Sequence, residues 1–459
     1  MKTVYEESRQ RPKADTPHIL CVNPWIHDFA AYDFWAKPLG MLTLAAICRM
    51  HDCRVSYIDC LDRFHPRAPQ IDPYLRHGRG PYLKTHIPKP PGLRDIRRRY
   101  SRYGIRPQWL LADLHSLPRP DLILITSLMT YWYPGLQETV RAVKEVFPDT
   151  PLAVGGIYAT LCSDHCRSQI EADEVVSGGG EHFLIDLIGK FTGHRPTLRF
   201  DPDYMDTYPR PALDLQHCIN YVPLLTSKGC PFTCAYCASP KLAPQRMTRS
   251  PAAVVEEIEY WHTDYGVKDF VFYDDALLMD MATHAGPIFE AVARSNISVR
   301  FHTPNALHIR WIDTRTAQLM KHAGFETIRL GLETAGFGDR RPHDWKVTAA
   351  EFENAVARLQ KAGFSKSQIG AYLLVGLPGQ KASAIEASIQ TVQQSGITPI
   401  LATYSPIPHT AMWPQAMAAS RYDLQADPVF CNNAVMPCQK ETFSWEHLSH
   451  LKQLVATTA

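Results

Sequence analysis

The sequence predicts an α/β protein: a doubly wound, Rossmann-like parallel sheet followed by a partial (β/α)6 barrel of the TIM type. Three observations carry this. Short apolar runs alternate with segments of helical spacing along most of the chain, the rhythm of parallel sheets. A proline-punctuated stretch from 193 to 220, which reads as a linker, separates two such series. Polar or glycine-rich residues recur just after the apolar runs, where open sheets and barrels keep their sites.

Residues 1–16 are polar and charged, with no apolar signal-peptide core, and are expected to form a flexible tail on a cytoplasmic protein. His18 to Pro24 is the first buried strand, and Leu39 to Met50 has helical spacing of Met41, Leu44, Ala45 and Cys48. Further strands are expected at Arg54–Asp59, Asp121–Ser127, Pro151–Gly155 and Asp173–Ser177, with helices at Gly135–Phe147 and Glu181–Phe191. These make a first domain over 17–192. The stretch from Arg63 to Ser116 is too long for a bare connector and is read as an insertion. Its Arg97, Arg98, Arg99 and Arg102 are expected on a solvated face or paired with carboxylates.

After the linker the rhythm resumes over 221–411. Strands are expected at Tyr221–Ser227, Lys268–Tyr273, Ser298–His302, Thr327–Gly331, Gly370–Val375 and Pro399–Thr403. Ser250 is the expected N-cap of a helix from Pro251 to Tyr265. Residues 412–459, with a helix from Ser444 to Leu454, are expected to cap the open side of the barrel.

Between the first barrel strand and its helix lie Cys230, Cys234 and Cys237. Three thiols this close suit one soft metal centre, and they are one short of the four ligands of a closed site. The remaining position is open to substrate or cofactor. The other nine cysteines (Cys21, Cys48, Cys53, Cys60, Cys162, Cys166, Cys218, Cys431 and Cys438) are scattered, as buried free thiols in a reducing compartment would be. A net charge of +2 gives no argument for nucleic acid or an anionic membrane, and no apolar run approaches the roughly 18 residues of a membrane span.

The spacing C-x3-C-x2-C, with Tyr236 before the last cysteine, resembles the signature of the radical S-adenosylmethionine (radical SAM) superfamily. The resemblance implies that Cys230, Cys234 and Cys237 are catalytic and hold a [4Fe–4S] cluster, whose fourth iron takes the amino and carboxylate groups of S-adenosylmethionine (SAM). It also assigns the strand ends. Tyr273, Asp274 and Asp275 stand where the family has a Gly-Gly-Glu-type segment meeting the methionine ammonium, which wants an acceptor. Glu333 matches the glutamate closing the fourth strand, with Asn305 and Arg329 as weaker candidates. Gly370 to Gln380, including Gly376, resembles the segment packed on adenine. Ser405 begins a segment resembling Pro-x-Pro-Gly-Thr, with His409 in the glycine position and so a candidate acid or base.

The first domain resembles the cobalamin-binding domain placed ahead of many radical SAM domains. The resemblance rests on Pro38-Leu-Gly-Met-Leu-Thr-Leu-Ala45, the Asp121 strand with Ser127, Gly155-Gly156, and Gly178-Gly-Gly-Glu181. It implies cobalamin contacts from Ser127, Met129, Thr130, Gly155, Gly156, Gly178, Gly179 and Glu181. The Asp-x-His-x-x-Gly motif that ligates cobalt from below is missing; the loop reads Asn23-Pro-Trp-Ile-His-Asp28. Cobalt without a histidine ligand is expected, faced by Met129, Tyr131 and Trp132, with His27 an ordinary loop histidine.

Together the resemblances imply a cobalamin-dependent radical SAM enzyme, a C-methyltransferase acting on an unactivated carbon, with an electron donor such as flavodoxin or ferredoxin. Such a carbon is not nucleophilic, so a radical must be made on it before a methyl group can be delivered. A non-methylating radical transformation and a non-catalytic cobalamin or metal sensor are the alternatives. The sequence does not name the substrate.

Overall fold

The computed structural model describes residues 16–295, 297–337, 347–439 and 445–456. The expected tail lies outside them except for Thr16.

Five parallel strands form the first sheet: β1 (His18–Asn23), β2 (Arg54–Asp59), β3 (Leu122–Ile125), β4 (Leu152–Val154) and β5 (Glu174–Val175), in the order β2-β1-β3-β4-β5. All pairings are parallel, with Val22 opposite Ile58 on one side and Ile125 on the other. Central β1 and β3 are buried along their whole length, which is why they read as unbroken apolar runs. The order reverses between β1 and β3, so ligands belong beyond the carboxyl ends there.

The insertion is structured. Its strand Ser101–Tyr103 pairs antiparallel with Lys84–His86 on one side and, on the other, with Ile26–Asp28, a short strand just after β1. Helix Pro107–Ser116, with proline at its first position, returns the chain to β3. Of the four arginines, Arg97 is exposed, Arg102 pairs with Glu138, Arg99 Nη1 lies 3.2 Å from His86 Nε2, and Arg98 Nη1 donates to Ala434 O.

The second sheet is one parallel arc: β6 (Val222–Leu224), β7 (Asp269–Phe272), β8 (Arg300–His302), β9 (Phe325–Glu333), β10 (Ile369–Val375) and β11 (Thr398–Thr403), ordered as in the chain. Alternation along β7 sorts its side chains. Phe270 and Phe272 point outward to the helices and pack with Phe289, Phe301 and Phe325, at 5.1 Å between the rings of Phe272 and Phe301. Asp269, Val271 and Tyr273 point inward. Ser250 caps helix Pro251–Tyr265 by accepting from Ala253 N.

The barrel interior is stoppered from outside its own sequence. Trp35, buried and at φ +69°, stacks on His302 with ring centroids 4.6 Å apart. Its Nε1 donates to His77 O at 2.7 Å, and Tyr273 Oη donates to its carbonyl at 2.6 Å. Below it Asp269 accepts from Arg300 through both oxygens and from His302 Nε2 at 2.9 Å, while His77 Nδ1 lies 3.4 Å away. Burial alone would raise the Asp269 pKa; His302, His77 and Arg300 together hold it well below the usual range.

The C-terminal part divides in two. Residues 412–439 dock on the first domain: Asn432 Nδ2 donates to Asp28 Oδ1 at 2.9 Å and Tyr133 Oη to Asp427 Oδ2 at 3.0 Å. Helix Trp445–Ala456 lies against helix Ala382–Gln394, with Gln393 Nε2 donating to Leu454 O, and covers edge strand β11. Among the described residues no helix is long and apolar enough to cross a membrane.

Candidate active site

The three cysteines occupy the loop after β6, at the carboxyl end of the barrel. Gly229 opens it at φ +83°, where a Cβ would meet Gln245 O at 2.8 Å, so no other residue fits the entry turn. Asp275 holds both ends of the loop. Its Oδ2 accepts from Gly229 N at 3.0 Å and its Oδ1 from Ser239 Oγ at 2.9 Å. Cys234 is buried, whereas Cys230 and Cys237 are half-buried. Ser239 N donates to Cys237 Sγ at 3.4 Å, and His308 Nε2 lies 3.7 Å from Cys230 Sγ. His308 in turn stacks on Phe232 of the loop at 4.8 Å. Donors aimed at sulfur suit thiolates, and hydrogen bonds to sulfur are among the terms that set a cluster's potential. The donor set fits an iron–sulfur cluster.

The strand-end residues divide into those that reach the loop and those that do not. Asp274 does not: it is fully enclosed, accepting from Thr226 Oγ1 at 2.6 Å and Ser227 Oγ at 2.7 Å. Burial pushes its pKa up, against those hydrogen bonds. Tyr273 turns inward to Trp35. The expected carboxylate acceptors are thus wall and clamp, and what this segment presents instead is main chain. Asn305 Nδ2 donates to Tyr273 O at 2.8 Å and approaches Asp274 O at 3.4 Å. Glu333 ends β9 at φ +64°, with its Oε1 beside Gly331. Gly376 ends β10 at φ +92°, its N–H donating to Gln380 Oε1 at 2.8 Å.

Three expectations fail on geometry. Gly370 lies at the amino end of β10, opposite Thr398, where a Cβ would strike Ile400; it is a packing glycine and remote from the carboxyl rim. Ser405 donates to Cys431 O at 2.6 Å and so anchors the C-terminal segment. His409, at φ +67°, has its Nε2 3.1 Å from Leu161 O and ties the barrel to the first domain. The left-handed backbone explains why a glycine would suit that position.

On the first domain, Ser127 is buried and donates to Gly155 O at 2.6 Å. Gly156, at φ +96°, lets the chain pass so close that a Cβ would lie 2.3 Å from Ser127 O. Gly178 N donates to Thr160 Oγ1 at 3.0 Å, and Gly178, Gly179 and Met129 are exposed. Thr130 lies in a buried turn, Thr130–Trp132, against Pro428–Cys431. His27 pairs with Glu138 Oε2 at 2.7 Å and is committed there. A glycine-lined edge with Gly178 and Gly179 exposed fits the approach of a flat macrocycle, and the imidazole of His182 lies beside Gly179.

Two residues join the two edges. Lys228, immediately before Gly229, forms an ion pair with Glu181 of the Gly178–Glu181 loop. Burial would raise the Glu181 pKa, and Lys228 outweighs it, holding the carboxyl below its usual range. A cavity of about 410 Å³ opens elsewhere, beside Lys37 and Asp59 at the carboxyl end of β2. Burial and Asp62 push the Asp59 pKa up to about 6, and burial brings Lys37 down to about 8. It lies away from the cysteine loop, and the thiol geometry, not cavity size, locates the chemistry.

His308 went unread in the sequence. It lies three residues beyond Asn305, past the end of a barrel strand, and the carboxyl-end rule could have found it.

A three-thiol loop on the rim of a partial barrel, tied to the carboxyl edge of a doubly wound sheet, defines a two-domain cofactor enzyme. Comparison gives the family. The Radical SAM superfamily model matches residues 224–392, and the B12 binding domain model matches 103–188. The chain thus carries a radical SAM domain with a B12-binding domain ahead of it. It is 24% identical over 327 residues to the uncharacterized methyltransferase PH0819 of Pyrococcus horikoshii, spanning 65% of this chain and 70% of that protein. It is 25% identical over 321 residues to the anaerobic magnesium-protoporphyrin IX monomethyl ester cyclase of Cereibacter sphaeroides, spanning 60% of this chain and only 50% of the cyclase. Its fold resembles that of the radical SAM methyltransferase TsrM of Kitasatospora setae, solved with cobalamin and a [4Fe–4S] cluster. The TM-score is 0.62 at 16% identity, covering 89% of this chain and 76% of that one.

Proposed function

We propose that the protein is a cobalamin-dependent radical SAM enzyme that methylates an unactivated carbon. The observation that carries the reading is the Lys228–Glu181 pair, because it draws the cysteine loop and the glycine-lined edge of the B12-binding domain to one seam. When bound, the cluster supplies the electron that cleaves SAM, and cobalamin carries the methyl group.

The chain's own part is placement. Cys230, Cys234 and Cys237 would hold three irons. The carbonyls of Tyr273 and Asp274 would accept from the methionine ammonium, with Asn305 fixing their direction. Glu333 and the Gly376 turn would border the nucleoside. Ser127, Thr130, Gly155, Gly156, Gly178 and Gly179 would form the corrin-facing edge, with Met129 over its open side. Residues 428–439 close the seam against water, which a radical site requires. The likeness to the cyclase favours one second reading, a radical transformation without methyl transfer. An electron donor such as flavodoxin or ferredoxin, and a cytoplasmic location, belong to the same proposal.

Anaerobically reconstituted protein should take up cobalamin and release both S-adenosylhomocysteine and 5′-deoxyadenosine. 5′-Deoxyadenosine alone would support the second reading, and failure to bind cobalamin would overturn the first.

A further inference from the structure

Several buried and half-buried arginines of this protein are neutralised by carboxylates. Arg63 pairs with Asp33 at 3.0 Å, Arg300 with Asp269 at 2.6 Å, Arg102 with Glu138 and Arg249 with Glu257. This is the ordinary rule, since a charge withdrawn from water must be paired. Among the described residues Arg79 and Arg329 carry no such partner: one lies over the Trp35 stopper and the other on barrel strand β9.

Arg329 projects from the inner face of β9, four residues before Glu333 and in the same inward row as Gly331 and Glu333. Its Nη1 donates to the main-chain carbonyls of Ile328 and Gln368, at 2.9 and 3.4 Å, and to no carboxylate. Arg79 enters from the insertion. Its Nε donates to Arg76 O at 3.0 Å, and its guanidinium lies 4.5 Å over the Trp35 ring, on the stopper of the barrel. Neither has an ion-pair partner among the described residues. Burial lowers both pKa values. The charges felt by Arg329 are those of Tyr372 and Arg79, and Arg79 also feels Arg76. Tyr372, on the inner face of β10, feels both arginines. Asp269, beneath Trp35, is already taken up by Arg300 and His302.

We propose that Arg79 and Arg329 together bind an anionic group of the substrate, a carboxylate or a phosphate, on the Trp35 stopper inside the barrel. Planar guanidinium forks match both oxyanions, and two such groups without a counter-charge make a site that an anion completes. The position suits a substrate anchored at its charged end. Four residues along a strand span about 13 Å, so an anion at Arg329 would lie that far below Glu333 and leave the rest of the molecule to reach the cysteine rim. The assignment rests on the reading of the barrel as the reaction chamber.

The test is binding, which needs no turnover. Full-length reconstituted protein with saturating SAM is titrated calorimetrically with inorganic phosphate and, separately, with acetate. At least one should bind with a dissociation constant of about a millimolar. The tighter of the two identifies the group as phosphate or carboxylate. Arg329→Gln and Arg79→Gln should each weaken binding about tenfold, as loss of a charge-assisted hydrogen bond does. Arg329→Lys, which keeps the charge, should lose less than Arg329→Gln. Cluster absorbance and thermal midpoint report whether each variant folds. Arg79 is not on a barrel strand, so its variant stands if Arg329→Gln fails to fold. Binding of neither anion, wild-type affinity in both Gln variants, or competitive displacement of the anion by SAM would overturn the assignment. Anion binding without methyl transfer would leave it standing and count against the proposed reaction instead.

Discussion

Asp275 should govern how firmly the cysteine loop holds its iron. It accepts one hydrogen bond at each end of the loop, from Gly229 N at 3.0 Å and Ser239 Oγ at 2.9 Å. Hydrogen bonds to a charged acceptor contribute about 1.5–3 kcal/mol each. Asp275 is partly exposed, so the lower figure applies. Removing both costs about 3 kcal/mol, and each 1.4 kcal/mol is a factor of ten in population. Asp275→Ala should therefore raise the opened-loop population about 100-fold and Ser239→Ala about tenfold, with Asp275→Asn between them because it keeps one acceptor oxygen. The assay is anaerobic: excess chelator is added to reconstituted protein, and the loss of the cluster's visible charge-transfer absorbance is timed. If opening limits iron loss, the rates should rank wild type, Ser239→Ala, Asp275→Asn, Asp275→Ala from slowest to fastest. Equal rates for wild type and Asp275→Ala would refute the clamp. So would Ser239→Ala matching Asp275→Ala, since the Gly229 bond would then count for nothing.

Other outcomes follow from the same geometry. Gly156→Ala places a Cβ 2.3 Å from Ser127 O at φ +96°; cobalamin uptake should be lost while iron content stays at the wild-type level, measured on one preparation. Asp59 has a pKa raised to about 6, above its unfolded value of about 3.9. The folded state therefore binds more protons across that window, and stability falls as pH rises from 4 to 6. Asp59→Asn should flatten that slope in urea titrations at pH 4.5 and 7 and leave the variant the more stable at pH 7. Asp269→Asn removes the charged acceptor of the half-exposed Arg300 and of His302 and should destabilise by about 1.5–3 kcal/mol, read as a lower denaturant midpoint.

The central strands of the two sheets were legible because burial on both faces writes apolar runs, the edge strands because they keep the β/α rhythm, and the cysteine loop because its spacing is rigid. Side-chain direction at strand ends was not. Asp274 and Asp275 are adjacent, yet one closes on Thr226 and Ser227 inside the wall and the other clamps the loop. Which way each turns depends on partners some 36 to 48 residues earlier in the chain. Gly370 shows the same gap from the other side. Its glycine answers Ile400 on the neighbouring strand, a contact that no local pattern records. Ser405 and His409 had the right address for a ligand, but Cys431 O and Leu161 O occupy them.

Trp35 bears on how the molecule holds together as one body. The matched family segments, 103–188 and 224–392, both leave it out, along with His77 and Arg79. A barrel excised at those limits would lack the ring that covers His302 and the carbonyl that Tyr273 Oη bonds. Burying a tryptophan removes about 150–250 Å² from water, about 4–6 kcal/mol at roughly 25 cal/mol per Å². That energy belongs to neither half by itself. The segments that the family models match are thus not the units that melt, and heating should unfold both halves in a single cooperative transition.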